Sequence, residues 1–282
     1  MDKRVIINAD DFGLCPGVNK AVARAHTDGV LTSATIMANM PAAAEAVEIA
    51  RKLPTLGVGV HLNLTEGRPL SPQAAVRPLL DADGRFAFSL AKLSLFSLAP
   101  HSFRNAIRTE LAAQIQWLLD NALKPTHLDS HKHFHTFPHL FSIVCQLARR
   151  FEIPAIRFTS EPKEVSTMPW PLTSEDGRKR AKNLRTMARI NRLQNPDFFK
   201  TNVVLGVAHT GRIDVNFFKA VALYNSAPTT EVITHPGFID GPDPEKTSLL
   251  NQRKDELDAL CSEKTKHYFQ DAAIKLVHYG QL

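Results

Sequence analysis

Cysteine is scarce: Cys15, Cys145 and Cys261 are the three in 282 residues, far apart and without CxxC spacing. Neither a disulfide framework nor a thiolate zinc site is suggested by that pattern. Long apolar runs are also missing, since no stretch approaches the roughly 20 residues that cross a bilayer. The first apolar run is short and ends at the acidic pair Asp10-Asp11, so neither an integral membrane segment nor an export signal is expected. The reducing cytoplasm is the expected location. Internal repeats, low-complexity tracts and a convincing second-domain boundary are not found, and one domain over residues 1–282 is the simplest organisation.

The net charge is +6, and much of the excess lies in one stretch: Arg178, Lys179, Arg180, Lys182, Arg185, Arg189 and Arg192. No aromatic residue interleaves with these cations to stack bases, so a solvated helix face is preferred over a nucleic-acid surface. A patch for acidic lipids or a partner stays open.

What is present suits a folded α/β protein: 44% of residues are hydrophobic and 22% charged. Strand-like runs at residues 4–8, 33–40, 57–64, 127–135, 155–158, 202–207, 231–234 and 274–277 alternate with helix-like stretches at 17–27, 41–53, 104–123, 139–150, 215–225 and 248–263. Strands separated by helices imply parallel pairing. Seven or eight such units predict a distorted (β/α) TIM-like barrel, with a doubly wound open sheet as the alternative. Two proline-containing stretches, about 66–103 and 159–196, are too long for ordinary connections and are read as insertions that shape a substrate site.

The densest chemistry is the run Thr126-His127-Leu128-Asp129-Ser130-His131-Lys132-His133-Phe134-His135. If it is extended, its alternate positions share a face and five metal-binding or proton-transfer groups converge at a strand end. Four histidines are too many for one ion. His131 is read as the ligand, Asp129 as the group that orients an imidazole or metal water, His127 as a buried residue, and His133 and His135 as substrate-facing or supporting groups. Asp10 and Asp11 follow the first strand and can divide metal binding and proton acceptance, or form a turn or cap. His61 ends an apolar strand, either as a core residue or as a ligand. His235, in Thr234-His235-Pro236-Gly237, suits a general acid or a turn, and Arg157 suits a substrate contact or a surface ion pair.

Together Asn8-Ala9-Asp10-Asp11-Phe12-Gly13, Gly59-Val60-His61-Leu62-Asn63-Leu64-Thr65, the His127–His133 segment and Thr234-His235-Pro236 resemble the YdjC-like carbohydrate deacetylases, in the family's order and from residue 5 to about 240. That family includes chitooligosaccharide deacetylases and relatives associated with hopanoid biosynthesis. The resemblance implies a distorted barrel related to polysaccharide deacetylases. It also implies one divalent ion held by Asp11, His61 and His131, with Asp10 as base and His235 as acid. The family leans to Mg2+, whereas two imidazoles and a carboxylate suit Zn2+. The implied substrate is an N-acetylated sugar, either a chitooligosaccharide or a glycolipid-linked amino sugar. For the latter, Leu93, Leu95, Phe96 and Leu98 could form an apolar wall, although an ordinary buried helix accounts for them better. A homodimer is compatible with the resemblance. The competing readings are hydrolysis of another amide or a phosphate ester, a non-catalytic metal- or sugar-binding barrel, and nucleic-acid binding through residues 178–192.

Overall fold

Strand β1 (Arg4–Phe12) reads RVIINADDF and is buried from Val5 onward, as a strand covered on both faces must be. Its partners β2 (Ser33–Ile36) and β3 (Gly57–Leu62) are likewise wholly buried. The computed structural model describes residues 3–87, 89, 93, 100–167, 170–238 and 249–282. Further along lie β4 (Leu128–Ser130), β5 (Val203–Leu205), β6 (Thr229–Thr234) and β7 (Lys275–Leu276). Every ladder is parallel, and the sheet runs β4-β3-β2-β1-β6-β5, with β7 added beside the start of β1.

The predicted strand at 155–158 does not form, yet the extended segment there curls the sheet toward closure. The Leu128 N–H donates to the Ala155 carbonyl at 3.0 Å, and the Arg157 N–H donates back to Leu128 at 2.9 Å. On the other side the Val204 N–H donates to the Ser160 carbonyl at 3.2 Å. Edge strands β4 and β5 are thus joined through a segment that pairs too briefly to count as a strand. The distorted barrel expected from the alternation is the architecture found, and the open doubly wound sheet is not.

The helices carry the apolar spacing that an outer layer requires. In α1 (Pro16–Thr27) Val18, Ala21, Val22 and Ala25 are buried at i, i+3, i+4 and i+7, and proline occupies the first turn where its missing N–H costs nothing. Helix α2 (Ala43–Lys52) buries Ala43, Ala46, Val47 and Ala50. Then come α3 (Gln73–Val76), α4 (His101–Asp120), α5 (Pro138–Arg150) and α6 (Glu175–Gln194). Helix α6 is capped by Ser174, whose Oγ accepts from the Gly177 N–H at 3.0 Å. Helix α7 (Val215–Tyr224) is capped in the same way by Asp214. The single helix predicted over 248–263 is instead α8 (Asn251–Cys261) followed by α9 (Glu263–Asp271), broken at the extended Ser262.

Other boundaries also differ from the sequence reading: β1, predicted over 4–8, runs on to Phe12 and so contains Asp10 and Asp11, which were expected to follow it. The strand predicted over 33–40 stops at Ile36, where pairing with β1 ends at the Phe12–Ile36 match. The strand predicted over 127–135 stops at Ser130, and residues His131–Thr136 turn as a 3-10 segment with Lys132 and His133 in the left-handed region, φ 57° and 58°. Alternation along the histidine run is therefore lost after Ser130. Leu93 is buried, in line with the packing interpretation, whereas Leu95, Phe96 and Leu98 lie outside the described residues. Among the described residues no helix is long and apolar enough to cross a membrane.

Candidate active site

The carboxyl ends of the parallel strands open into a cavity of about 520 Å3 lined by Asp10, Asp11, His61, Glu66, His131, Lys132, His133, Arg180, His235 and Arg253, among others. This is the end at which parallel α/β folds collect their chemistry. Asp10 and Asp11 reach it together because β1 is irregular between Ala9 and Phe12, with Asp11 at φ 66°. A non-glycine residue in that region is uncommon, and the bulge lets two adjacent carboxylates face one cavity instead of opposite sides of the sheet.

Asp11 Oδ1 lies 3.4 Å from His61 Nε2 and 3.0 Å from His131 Nδ1. These three residues offer ligand atoms within 4.8 Å of one another. Each imidazole is backed by a carboxylate on its other nitrogen: His61 Nδ1 donates to Asp129 Oδ1 at 2.7 Å, and His131 Nε2 to Glu66 Oε1 at 2.8 Å. Carboxylate-backed histidines are the usual support of a metal ligand, because the backing bond fixes the tautomer and ring direction. The register that pairs His61 with Asp129 across β3 and β4 supplies one of these contacts directly. Glu66, just beyond β3, supplies the other and also receives the Lys132 ammonium at 2.8 Å. Arg253 of α8 donates to Asp11 Oδ2 at 2.6 Å, leaving Oδ1 toward the two imidazoles.

Burial tends to neutralise His61, but Asp129 and Asp10 outweigh it and raise the imidazole to about 10. Burial acts likewise on His131, and Asp11 with Glu66 outweighs it. Both rings therefore carry protons where their carboxylate neighbours are the only counter-charge. Five carboxylates, Asp10, Asp11, Glu66, Asp129 and Glu231, are paired with Lys132, Arg157, Arg253 and the two imidazoles in and beneath the cavity, and Arg180 adds a further cation to its lining. The Asp11-His61-His131 donor set, two imidazoles and a carboxylate, fits a divalent ion. A second cluster, Asp10, His61 and Asp129, also brings its ligand atoms together. There a cation would meet the Arg157 guanidinium, so that cluster is better described as a hydrogen-bonded cage.

Arg157 is the centre of this cage and is wholly buried, which excludes the surface ion pair. Its Nη1 donates to Asp10 Oδ2, its Nη2 to Asp10 Oδ1 and its Nε to Glu231 Oε1, at 2.8, 2.7 and 2.9 Å, and ion-pair contacts of 2.8 Å link Nη1 to Asp129 Oδ2 and Nη2 to Glu231 Oε1. Three carboxylates thus surround the guanidinium, and a buried charge is tolerated only when paired in this way. Burial raises the Asp10 carboxyl, but Arg157 and His61 outweigh it and hold the group well below the usual carboxylate range.

His235 follows β6 directly and lines the cavity. Its backbone N–H donates to Glu256 Oε2 at 2.5 Å, and its Nδ1 lies 3.9 Å from the same oxygen. Burial pushes the imidazole down to about 4 and the Glu256 carboxyl up to about 8, so at neutral pH the histidine is neutral and the glutamate protonated.

The rest of the histidine run separates. His133 lines the cavity, with burial and Arg157 holding its imidazole well below the usual range. His135 does not line it: its Nδ1 meets Ser130 Oγ at 2.7 Å and its Nε2 the Arg157 carbonyl at 3.3 Å. His127 is buried and stacks on Tyr279 at 3.9 Å, at the opposite end of β4. The basic helix is more than a solvated face, since its Arg180 reaches the cavity lining. Arg253 and Glu256 escaped the sequence reading because no motif surrounds them, and Glu66 because it lies one residue beyond the motif that ends at Thr65. Their only signal was acidic or basic character in segments read as insertion or helix surface.

The YdjC-like protein family model matches residues 4–271 of the chain. A protein of Brevibacillus brevis strain 47, named a carbohydrate deacetylase, is 34% identical over 99% of both chains. One of Geobacillus stearothermophilus with the same name is 34% identical over 100% of this chain and 98% of its own. A solved structure from Enterococcus faecalis V583, whose description proposes cellobiose-phosphate cleavage, superimposes with a TM-score of 0.75 at 26% identity, covering 100% of this chain and 99% of that one. The arrangement of strands, cavity and donors, together with matches along nearly the whole length, makes this chain a member of the YdjC-like family.

Proposed function

We propose that the protein is a metal-dependent deacetylase that hydrolyses the N-acetyl group of an amino sugar. The observation that carries this reading is one cavity holding Asp11, His61 and His131, both imidazoles backed by carboxylates, with Asp10 and His235 lining the same space. The relatives named carbohydrate deacetylase support the same chemistry.

When bound among Asp11, His61 and His131, a divalent ion supplies Lewis acidity, making water a nucleophile at neutral pH and polarising the acetamide carbonyl. Two nitrogens and one oxygen favour Zn2+ over Mg2+ as that ion. Asp10 accepts the proton of the attacking water. Arg157 keeps it ionised and fixes the direction of both its oxygens. That bidentate grip also lowers its basicity, so the proton stays on Asp10 only briefly.

His235 protonates the departing amine. Because it rests neutral, its proton has to arrive during turnover, and the protonated Glu256 behind Nδ1 is a source on the protein side. His133 and Lys132 face the cavity where hydroxyl groups of a sugar would lie. The products are acetate and a free amino sugar, from a chitooligosaccharide or a glycolipid-linked amino sugar. The reading treats residues 1–282 as one catalytic domain working in the cytoplasm, as a homodimer.

Acetate release from N-acetylglucosamine oligomers, measured alongside metal content, tests the proposal. Asp10→Asn is expected to keep the metal and lose nearly all turnover, whereas His131→Ala loses the metal. Full activity in either variant overturns the assignment.

A further inference from the structure

Helix α6 carries a second group of cations away from the catalytic cavity. Arg185, Arg189 and Arg192 are spaced i, i+4 and i+7 and, with Lys163, line a separate cavity of about 530 Å3 that shares no lining residue with the first. Ser160 and Asn202 add neutral polar groups, and Glu164 is the one carboxylate in the lining. Among the described residues none of these four cations has an ion-pair partner. The carboxylate of neighbouring Glu161 is turned elsewhere, accepting from the Gly206 and Ala208 N–H groups at 2.7 and 2.8 Å.

Two of the guanidiniums are held in place without being neutralised. Arg185 Nη1 donates to the Glu161 carbonyl at 3.0 Å, and the Arg192 guanidinium lies over the Phe158 ring at 4.8 Å. Arg189 has no partner among the described residues. Like charges at i and i+4 disfavour a helix. Here the repulsion is concentrated around a concave space, where a multiply charged anion would relieve it. Planar guanidinium forks match phosphate oxygens pairwise, which a lone ammonium does not.

We infer that this cavity is a binding site for a phosphate-bearing anion, distinct from the deacetylase centre and independent of its chemistry. A free phosphorylated metabolite and a phospholipid headgroup share the recognised group. The exposed Leu193 and Ile190 on the same helix would lie against the lipid in the second case.

The test titrates the full chain with inorganic pyrophosphate by calorimetry. It also sediments the chain with phosphatidylcholine vesicles, with and without phosphatidylglycerol. Saturable 1:1 pyrophosphate binding is expected, weakened at least tenfold in Arg189→Glu and in Lys163→Glu with unchanged melting curves, and undiminished in Arg180→Glu. Retention on anionic vesicles alone, lost in the same two variants, also supports the site and assigns the headgroup as its ligand. The inference is overturned if neither probe binds, if binding survives Arg189→Glu and Lys163→Glu, or if Arg180→Glu alone removes it, which would place the anion in the catalytic cavity.

Discussion

Glu66 offers the sharpest test of how the candidate metal centre is built. It touches none of the shared ligand space; it meets His131 from behind, at 2.8 Å from Nε2, and is largely covered. Replacing Glu66 by Ala removes the backing carboxylate, frees the ring to turn and removes one negative charge beside the ion. Loss of a group that backs a histidine ligand typically costs about 10–100-fold in metal affinity, roughly 1.4–2.7 kcal/mol. Gln keeps an acceptor for the Nε2 proton and removes only the charge, so Glu66→Gln falls near tenfold and Glu66→Ala near 100-fold. The lost ion pair with the half-exposed Lys132 contributes no more than ~1 kcal/mol to stability, so both variants fold. Competition with a chromophoric chelator gives the two dissociation constants, and circular dichroism checks the fold. Wild-type affinity in Glu66→Ala refutes the backing role, and a loss beyond about 1000-fold makes Glu66 a ligand instead.

Other outcomes follow from the same geometry. Glu161 is pushed by burial to about 7, against the backbone N–H donors that favour its ionised form. A carboxyl raised above its unfolded value of 4.5 contributes stability that is complete below that value and lost as pH rises through about 7, roughly 3 kcal/mol in all. Urea midpoints should therefore fall more steeply between pH 5 and 8 in the wild type than in Glu161→Gln, where Glu256 still titrates; parallel curves would refute the shift. Glu256→Ala leaves the buried His235 N–H without its acceptor and should lower kcat at least tenfold with little change in KM, while Glu256→Gln, which keeps that acceptor, loses less. Equal kcat in all three proteins would remove Glu256 from the acid's support. Gly59→Ala would place a Cβ 2.5 Å from His127 Cε1, against the ring stacked on Tyr279, and should cost about 1–3 kcal/mol in thermal unfolding without altering metal affinity.

Much of the fold was legible because periodicity is a local property. The apolar positions of α1 and α2 and the buried runs of β1 and β3 declare themselves within a dozen residues. Misreadings occurred where tertiary contacts override local pattern. Residues 131–135 keep a strand's alternation but turn, because β4 has no neighbour to extend along beyond Ser130. Residues 155–158 look like a strand but pair with β4 only through the two hydrogen bonds around Leu128, too brief a match to form one.

The sequence by itself determined the alternating α/β plan and the chemical inventory: an aspartate pair, a strand histidine, a histidine run and a late histidine, in an order that resembles one family. Only the tertiary structure decided their partners. It set Glu66 behind His131, Arg253 on Asp11 and Glu256 beneath His235, and it gave Arg157 to three carboxylates at once. Motifs record groups that are close along the chain. Charge compensation in a buried site depends on distance in space, and the residues that meet that need can come from any segment the fold brings near.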